Sequence, residues 1–266
     1  MRLKDKVILV TGSTTGIGEG MARVFAREGA RVIVHGPAEP DAERAGRAVA
    51  EAITRAGGQA SFLAGSLEDP AVPSRLIAQA IEQHGRIDGL VNNAAVMTRG
   101  TMENTDLAKF ERTLAINLRA PFLLIQAALP HFRRQGGGRV INIGSVNAYS
   151  GERNQFAYSI SKGGLMTLTR NIADAYGREG IRVNQFNLGW TLTPNEFELK
   201  KREGLPDDWP RRIPKEFAPS GRLLSPEEIG WAAVYFLSEE GALINGTVME
   251  LEQFPMIGRM QERRAD

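Results

Sequence analysis

The sequence predicts a doubly wound α/β fold, a parallel sheet of about seven strands with helices on both faces. Three observations carry this expectation. Short continuous apolar runs such as "KVILV", "RVIV" and "RVINI" have strand length and no polar alternation, as in strands buried on both faces. Amphipathic segments of helix length alternate with them. The first run ends in a glycine-rich turn, "TGSTTGIG", that opens a helix. Strand, helix and parallel strand in repetition give right-handed crossovers.

The elements follow in order. "KVILVTG" is a strand running into a turn, and "GIGEGMARVFAREGA" is the first helix, closed by Gly29. "RVIVHG" is the next strand, followed by the amphipathic helix "DAERAGRAVAEAITRAGG", which Gly57 and Gly58 stop. "ASFLAG" is a third strand, "PSRLIAQAIEQHG" a third helix, and "IDGLVNNAA" a fourth strand entering a polar turn. A long helical region over about 107–135 is expected to break near Pro121. "GRVINIGS" is a fifth strand, and the helix containing "YSISK" runs to about Gly177. "IRVNQFNLG" is a sixth strand, "PEEIGWAAVYFLS" a further helix and "GTVMELE" a last strand. The stretch 190–224 breaks the rhythm. It is rich in proline and charge, lacks a clear period, and reads as a substrate loop or lid. A C-terminal extension, about 255–266, continues past the last strand. There is no linker and no repeat, so a single domain over 1–266 is expected.

Composition narrows the function. At 266 residues, 42% hydrophobic and 24% charged, the chain can bury a large core. It has no cysteine, which excludes disulfides, thiolate metal sites and cysteine nucleophiles. His35, His84 and His131 lie in separate segments, so no metal site is expected. A net charge of +2 with scattered basic residues gives no nucleic-acid patch. No run approaches the ~18 apolar residues of a membrane span, and the apolar run near the start is too short for a signal peptide. The expected location is cytoplasmic.

Two local patterns suggest chemistry. Gly12, Gly16 and Gly18 follow the first strand and open the first helix, where backbone can approach a pyrophosphate. The spacing is not GxGxxG, and a plain tight turn would use the same glycines. In "AYSISKGG", Tyr158 and Lys162 share one helix face. A cation ~4 Å away at an effective dielectric of ~20 favours a phenolate by up to ~4 kcal/mol, or ~3 pK units. A half-buried tyrosine beside a solvated lysine would satisfy the same spacing.

"TGSTTGIG", "NNAA" at Asn92 to Ala95, Ser145, Tyr158 and Lys162 together resemble the short-chain dehydrogenase/reductase family, of the compact TGxxxGIG and YxxxK type. The resemblance spans about Lys6 to Glu252. It implies a Rossmann-type fold and an NAD(P)-dependent oxidoreductase that interconverts a secondary alcohol and a carbonyl by hydride transfer. By that resemblance Tyr158 is the general acid/base, and Lys162 lowers its pKa and binds the nicotinamide ribose. Ser145 hydrogen-bonds the substrate oxygen, and Asn117 in "LAINLRAPF" helps hold a relay water. The implied cofactor residues are Gly12, Thr14, Thr15, Gly16, Ile17 and Gly18 at the phosphates, and His35 and Gly36 at the second strand end. Ser66 and Leu67 stand where the family often has Asp-Val. Asn93, Ala94, Tyr158, Lys162, Gly189, Thr191 and Thr193 complete the set.

The chain also departs from the pattern. Ala95 stands where many members have glycine, and Leu188-Gly189 replaces Pro-Gly. "MELEQF" replaces the usual acidic-Gly-Gly tail. "RVIVHGP" offers neither an acid for the ribose 2′-OH nor an arginine for a 2′-phosphate, and the absent carboxylate inclines the choice from NAD toward NADP. Lys200, Lys201, Arg202, Arg211 and Arg212 in the candidate lid would welcome an anionic substrate group, though a solvated charged loop has the same composition. The resemblance further implies a homotetramer built through the helices at about 107–135 and 155–177. A small-molecule carbonyl or alcohol is the implied substrate. The alternatives are a dinucleotide-binding but non-catalytic sensor or scaffold, and a non-redox lyase or epimerase on the same fold.

Overall fold

The apolar runs become strands in the computed structural model, which describes residues 1–254. They are β1 (Val7–Val10), β2 (Arg31–Gly36), β3 (Gln59–Ala64), β4 (Gly89–Asn92), β5 (Gly138–Ser145), β6 (Ile181–Leu188) and β7 (Val248–Leu251). They form one sheet in the order β3-β2-β1-β4-β5-β6-β7, with every neighbouring pair parallel. Successive side chains of a strand point to opposite faces, and each face carries its own core. Ile8, Val10, Val32 and Val34 pack with Met21, Phe25, Ile53, Ile229 and Val234 on one side. Val7, Leu9, Ile33 and Leu90 pack with Leu76, Ile77, Leu124, Phe132 and Ile172 on the other.

The helices on the first side are α1 (Gly16–Arg27), α2 (Pro40–Arg55) and α9 (Pro226–Leu237). Those on the second are α3 (Val72–His84), α5 (Ala120–Arg134) and α7 (Phe156–Tyr176). Three more, α4 (Leu107–Leu114), α6 (Asn147–Ser150) and α8 (Pro194–Arg202), lie in the connections. Strand order reverses between β1 and β4, which opens a crevice beyond their carboxyl ends.

Two expectations change. The helical region does not break at Pro121. It runs from Leu107 to Arg134, and its irregularity is a π turn at Ala115–Arg119, where the Ala120 N–H bonds the Ala115 carbonyl. Pro121 sits in the first turn of α5, where its missing N–H leaves no i+4 donor for Asn117 O. By length and composition this run could cross a bilayer, but its Leu124, Ile125, Ala128 and Phe132 are buried in the core, as in a core helix of a globular fold. The lid is not aperiodic either. It contains α8, a 3₁₀ turn at Trp209–Arg211 and a small core of Trp209, Ile213, Ala218 and Leu223. The proposed C-terminal extension lies outside the described residues.

Candidate active site

β1 delivers Thr11 and Gly12 to the crevice. Gly12 and Gly16 have φ of +61° and +59°, in the left-handed region that favours glycine. A Cβ on Gly12 would meet Ala94 Cα at 2.7 Å, and one on Gly18 would meet Gly12 O at 2.4 Å. The glycines therefore let the turn close on the "NNAA" segment. Asn93 Nδ2 donates to Thr11 O and Gly12 O, both at 2.9 Å, and Thr11 Oγ1 accepts from the N–H groups of Asn93 and Ala94 at 3.0 Å. Thr15 begins α1 without a side-chain cap. Donors of a first helical turn left uncapped beside such a cradle suit a pyrophosphate.

His35 is buried beneath this turn. Its Nδ1 accepts from Gly12 N–H at 3.3 Å, and its Nε2 lies 3.0 Å from Gly65 O. Both contacts are made only by the neutral ring with its proton on Nε2. Burial lowers the pKa to about 4. A groove of about 550 Å³ extends along the crevice, lined by Gly12, Thr14 to Gly18, His35, Ser66, Leu67, Asn93, Ala94 and Thr193. Pro37, Glu39, Glu68 and Arg112 line it as well. Gly36 does not line the groove and leaves no open space beside its Cα. The Thr14 methyl fills that place, since a Cβ on Gly36 would meet Thr14 Cγ2 at 2.4 Å.

A second hollow of about 470 Å³ shares Ile17, Asn93, Ala95, Met97 and Thr193 with the first, so the two are continuous. Ser145 from the end of β5 meets Tyr158 and Lys162 from α7 in its wall. The Ser145 hydroxyl hydrogen-bonds the Tyr158 phenol. Lys162 is buried, donates from Nζ to Ile143 O at 2.7 Å, and lies 5.6 Å from the Tyr158 ring centroid. Here the electrostatics depart from expectation. Burial raises the Tyr158 pKa, with the Ser145 bond opposing it in part. Burial also lowers Lys162 to about 8. Desolvation outweighs any pull from the ammonium, whose near partner is a backbone carbonyl.

Asn117 does not line either hollow. It is buried in the π turn, where Oδ1 accepts from Val96 N–H at 2.9 Å. Its Nδ2 donates to Val96 O at 3.0 Å and Ser161 Oγ at 3.1 Å. It ties the loop after β4 to α7.

Gly189, Thr191 and Thr193 do reach the second hollow. Leu188, in place of proline, simply extends β6, paired with Ser145 and Leu251 in register. The Gly189 N–H donates to Leu251 O at 2.9 Å. Thr193 Oγ1 accepts from Glu196 N–H at 3.1 Å and so caps α8. Lys200, named among the lid cations, lines the hollow, and sequence reasoning missed Arg99, Asn147, Gln155, Trp190, Glu196 and Phe217, which line it as well. A signal for part of this was present: Thr193-Pro194-Asn195-Glu196 is a helix-start pattern that would have located α8. Of the lid cations named from the sequence, Lys200, Lys201 and Arg212 are in ion pairs. Lys200 lies 2.8 Å from Glu203 and Arg99 2.6 Å from Glu203. Lys201 is 3.0 Å from Asp207, and Arg212 is 2.5 Å from Asp208.

The family profile described as short chain dehydrogenase matches residues 6–204. Levodione reductase of Leifsonia aquatica is 33% identical over 255 residues, covering 94% of each chain. D-beta-hydroxybutyrate dehydrogenase of Cupriavidus necator is 32% identical over 257 residues, covering 94% of this chain and 97% of that one. Among solved structures, that of levodione reductase matches with a TM-score of 0.84 at 30% identity, covering 94% of this chain and 96% of the other. A putative NAD(P) dependent gluconate 5-dehydrogenase from Beutenbergia cavernae, with bound NADP, matches with a TM-score of 0.82 at 29% identity and the same coverage. With the topology, the phosphate turn and the matched length all in agreement, the chain belongs to the short-chain dehydrogenase/reductase family of oxidoreductases.

Proposed function

We propose that the protein interconverts a secondary alcohol and a carbonyl with a nicotinamide cofactor, and that Tyr158 is the general acid/base. The observation that carries this is the convergence of Ser145, Tyr158 and Lys162 in one wall of the second hollow, where the groove opens into it. A bound nicotinamide would supply the hydride acceptor for the carbinol carbon in oxidation, or the hydride donor for the carbonyl in reduction. Tyr158 takes the hydroxyl proton in oxidation and gives it back in reduction. Ser145 donates to the same oxygen as charge develops on it. Lys162 supplies a positive charge behind the phenol below about pH 8. The turn from Gly12 to Gly18 would hold the pyrophosphate, Ser66, Leu67, Asn93 and Ala94 the adenosine side, and Gly189, Thr191 and Thr193 the carboxamide. Asn117 acts on the reaction through the Val96 loop and Ser161.

For the choice of cofactor, the charge of the groove weighs against the sequence's inclination toward NADP. Glu39 and Glu68 line the groove against one guanidinium, Arg112, which Glu68 already holds at 2.7 Å. A 2′-phosphate would add negative charge there, so NAD(H) is the favoured form. The likeness to a structure containing NADP supports the wider class, NAD(P). Assembly as a cytoplasmic homotetramer stays part of the proposal. Exposed Phe122 on α5 and Phe156 and Ile160 on α7 favour burial of those faces between subunits.

The test is fluorescence titration of the purified protein with NADH and NADPH, then turnover on a panel of ketones. Tighter binding of NADH with turnover that Tyr158→Phe abolishes would support the reading. Undiminished turnover in Tyr158→Phe would overturn it.

A further inference from the structure

We infer that the substrate is an uncharged secondary alcohol or ketone carrying a bulky apolar group, and that this group is received by a separate aromatic-walled cavity inside the lid. The inference rests on the oxidoreductase reading and names its substrate class. The lid cavity has about 360 Å³, within the ~300–1,000 Å³ usual for ligand pockets. Its walls are apolar side chains: Leu205, Pro206, Trp209, Ile213, Pro214 and Phe217 among them. Trp190 and Phe217 line both this cavity and the catalytic hollow, so the two spaces meet at these rings.

The Trp190 rim that both spaces share is fixed. Trp190 stacks on Trp209 with ring centroids 5.6 Å apart and an interplanar angle of 13°. The Trp190 indole N–H donates to Glu196 Oε1 at 2.7 Å, and Lys200 Nζ lies 5.5 Å from its ring centroid. A bound group would therefore meet a preformed surface, which limits the entropy lost on binding. Trp209 is buried, and its indole N–H has no acceptor among the described residues.

Charge excludes the alternative class. Apart from the catalytic Lys162, the cations lining the hollow are Arg99 and Lys200; both pair with Glu203, and Lys200 also lies 4.0 Å from Glu196. Arg212 at the lid cavity pairs with Asp208 at 2.5 Å. A substrate carboxylate or phosphate would have to displace these partners, while an apolar group needs none of them.

The test compares 2-butanone with 4-phenyl-2-butanone, which adds a phenyl group to the same methyl ketone. Burying that ring in the lid should raise kcat/KM by about a hundredfold. In Leu205→Glu, which puts a carboxylate at the rim of the cavity, the ratio of the two kcat/KM values should fall at least about tenfold. Leu205 is partly exposed, so the fold should tolerate the change, and a circular-dichroism melt checks that. Calorimetric titration of the cofactor-loaded protein with 4-phenyl-2-butanol follows binding independently of turnover. A ratio near one for the wild type, with both ketones turned over, would overturn the inference and leave the oxidoreductase reading standing. Calorimetric binding that Leu205→Glu weakens, without turnover of either ketone, would support the cavity assignment and overturn the redox reading. Absence of both turnover and binding would overturn both.

Discussion

Tyr158 and Lys162 show how far a spacing can be read and where it stops. Their i, i+4 relation is legible because a helix fixes it, and so is Ser145 at a strand end. What the spacing does not reveal is the competition for the ammonium. Ile143 O, from the far strand β5, accepts from Nζ, and burial rather than charge sets both pKa directions. Tyr158→Phe removes the proton carrier and leaves the ring. It should lower kcat by about 10²–10⁴-fold while the melting temperature changes little, as steady-state kinetics and calorimetry would show. Lys162 has a folded pKa of about 8 against an ordinary 10.5. Below about pH 8 both folded and unfolded chains hold the proton, and the cost of burying the charge is fully present. Between about pH 8 and 10.5 the folded chain releases its proton first, so that cost is relieved as pH rises. The cost is about 3 kcal/mol, and removing the amine orphans Ile143 O at about 1–3 kcal/mol. Lys162→Met should therefore be roughly neutral to about 2 kcal/mol more stable at pH 7. Urea unfolding at pH 7 and 9.5 should show its stability relative to wild type declining at the higher pH.

Among the elements, those with strong apolar rhythm were legible and those held by caps or neighbours were not. α1, α2, α3, α7 and α9 fall where the amphipathic pattern predicts. The π turn was misplaced to Pro121 because its function is tertiary: Asn117 turns inward to both backbone groups of Val96, which no local pattern announces. α8 was hidden by charge. Its apolar contacts are few, with Phe197 stacking 6.2 Å from Trp209, and its N-terminus depends on the Thr193 cap. Thr193→Ala should remove about 1 kcal/mol from this local helix. Hydrogen exchange across Pro194–Arg202 should quicken several-fold, while the melting temperature of the main sheet shifts little, because the lid has its own small core. Equal loss of protection in β1 and β5 would show instead that the lid and the sheet unfold together.

At the scale of the whole molecule, alternating strands and helices were enough to give the parallel sheet, because burial on both faces leaves few other arrangements. The joining of distant segments was not legible, and His35 is the clearest case. A lone histidine at a strand end suggests packing or an adenine contact. In the fold it links three strands, taking the Gly12 N–H after β1 and meeting Gly65 O after β3 from its own place in β2. That linkage requires a neutral ring, and burial holds the pKa at about 4 against an ordinary 6.5. The folded pKa lies below the unfolded one. As pH falls from about 6.5 to 4, the unfolded chain binds a proton that the folded chain refuses, and stability declines by up to about 3 kcal/mol. Glu228, lowered to about 2 beside Arg222, loses its contribution in a more acid range, below about pH 4.5. The two windows are therefore separable. His35→Gln offers a donor and an acceptor without a titrating ring. It should be less stable than wild type at pH 7, but its urea midpoint should fall less between pH 7 and 4.5. Protonation would also cost Gly12 N–H its acceptor, in the turn that forms the phosphate cradle. Cofactor affinity of the wild type should therefore hold between pH 7 and 5 and weaken only as pH falls toward the folded pKa of about 4, and that of His35→Gln should weaken less there. Parallel slopes for the two proteins would place the acid sensitivity of the fold elsewhere.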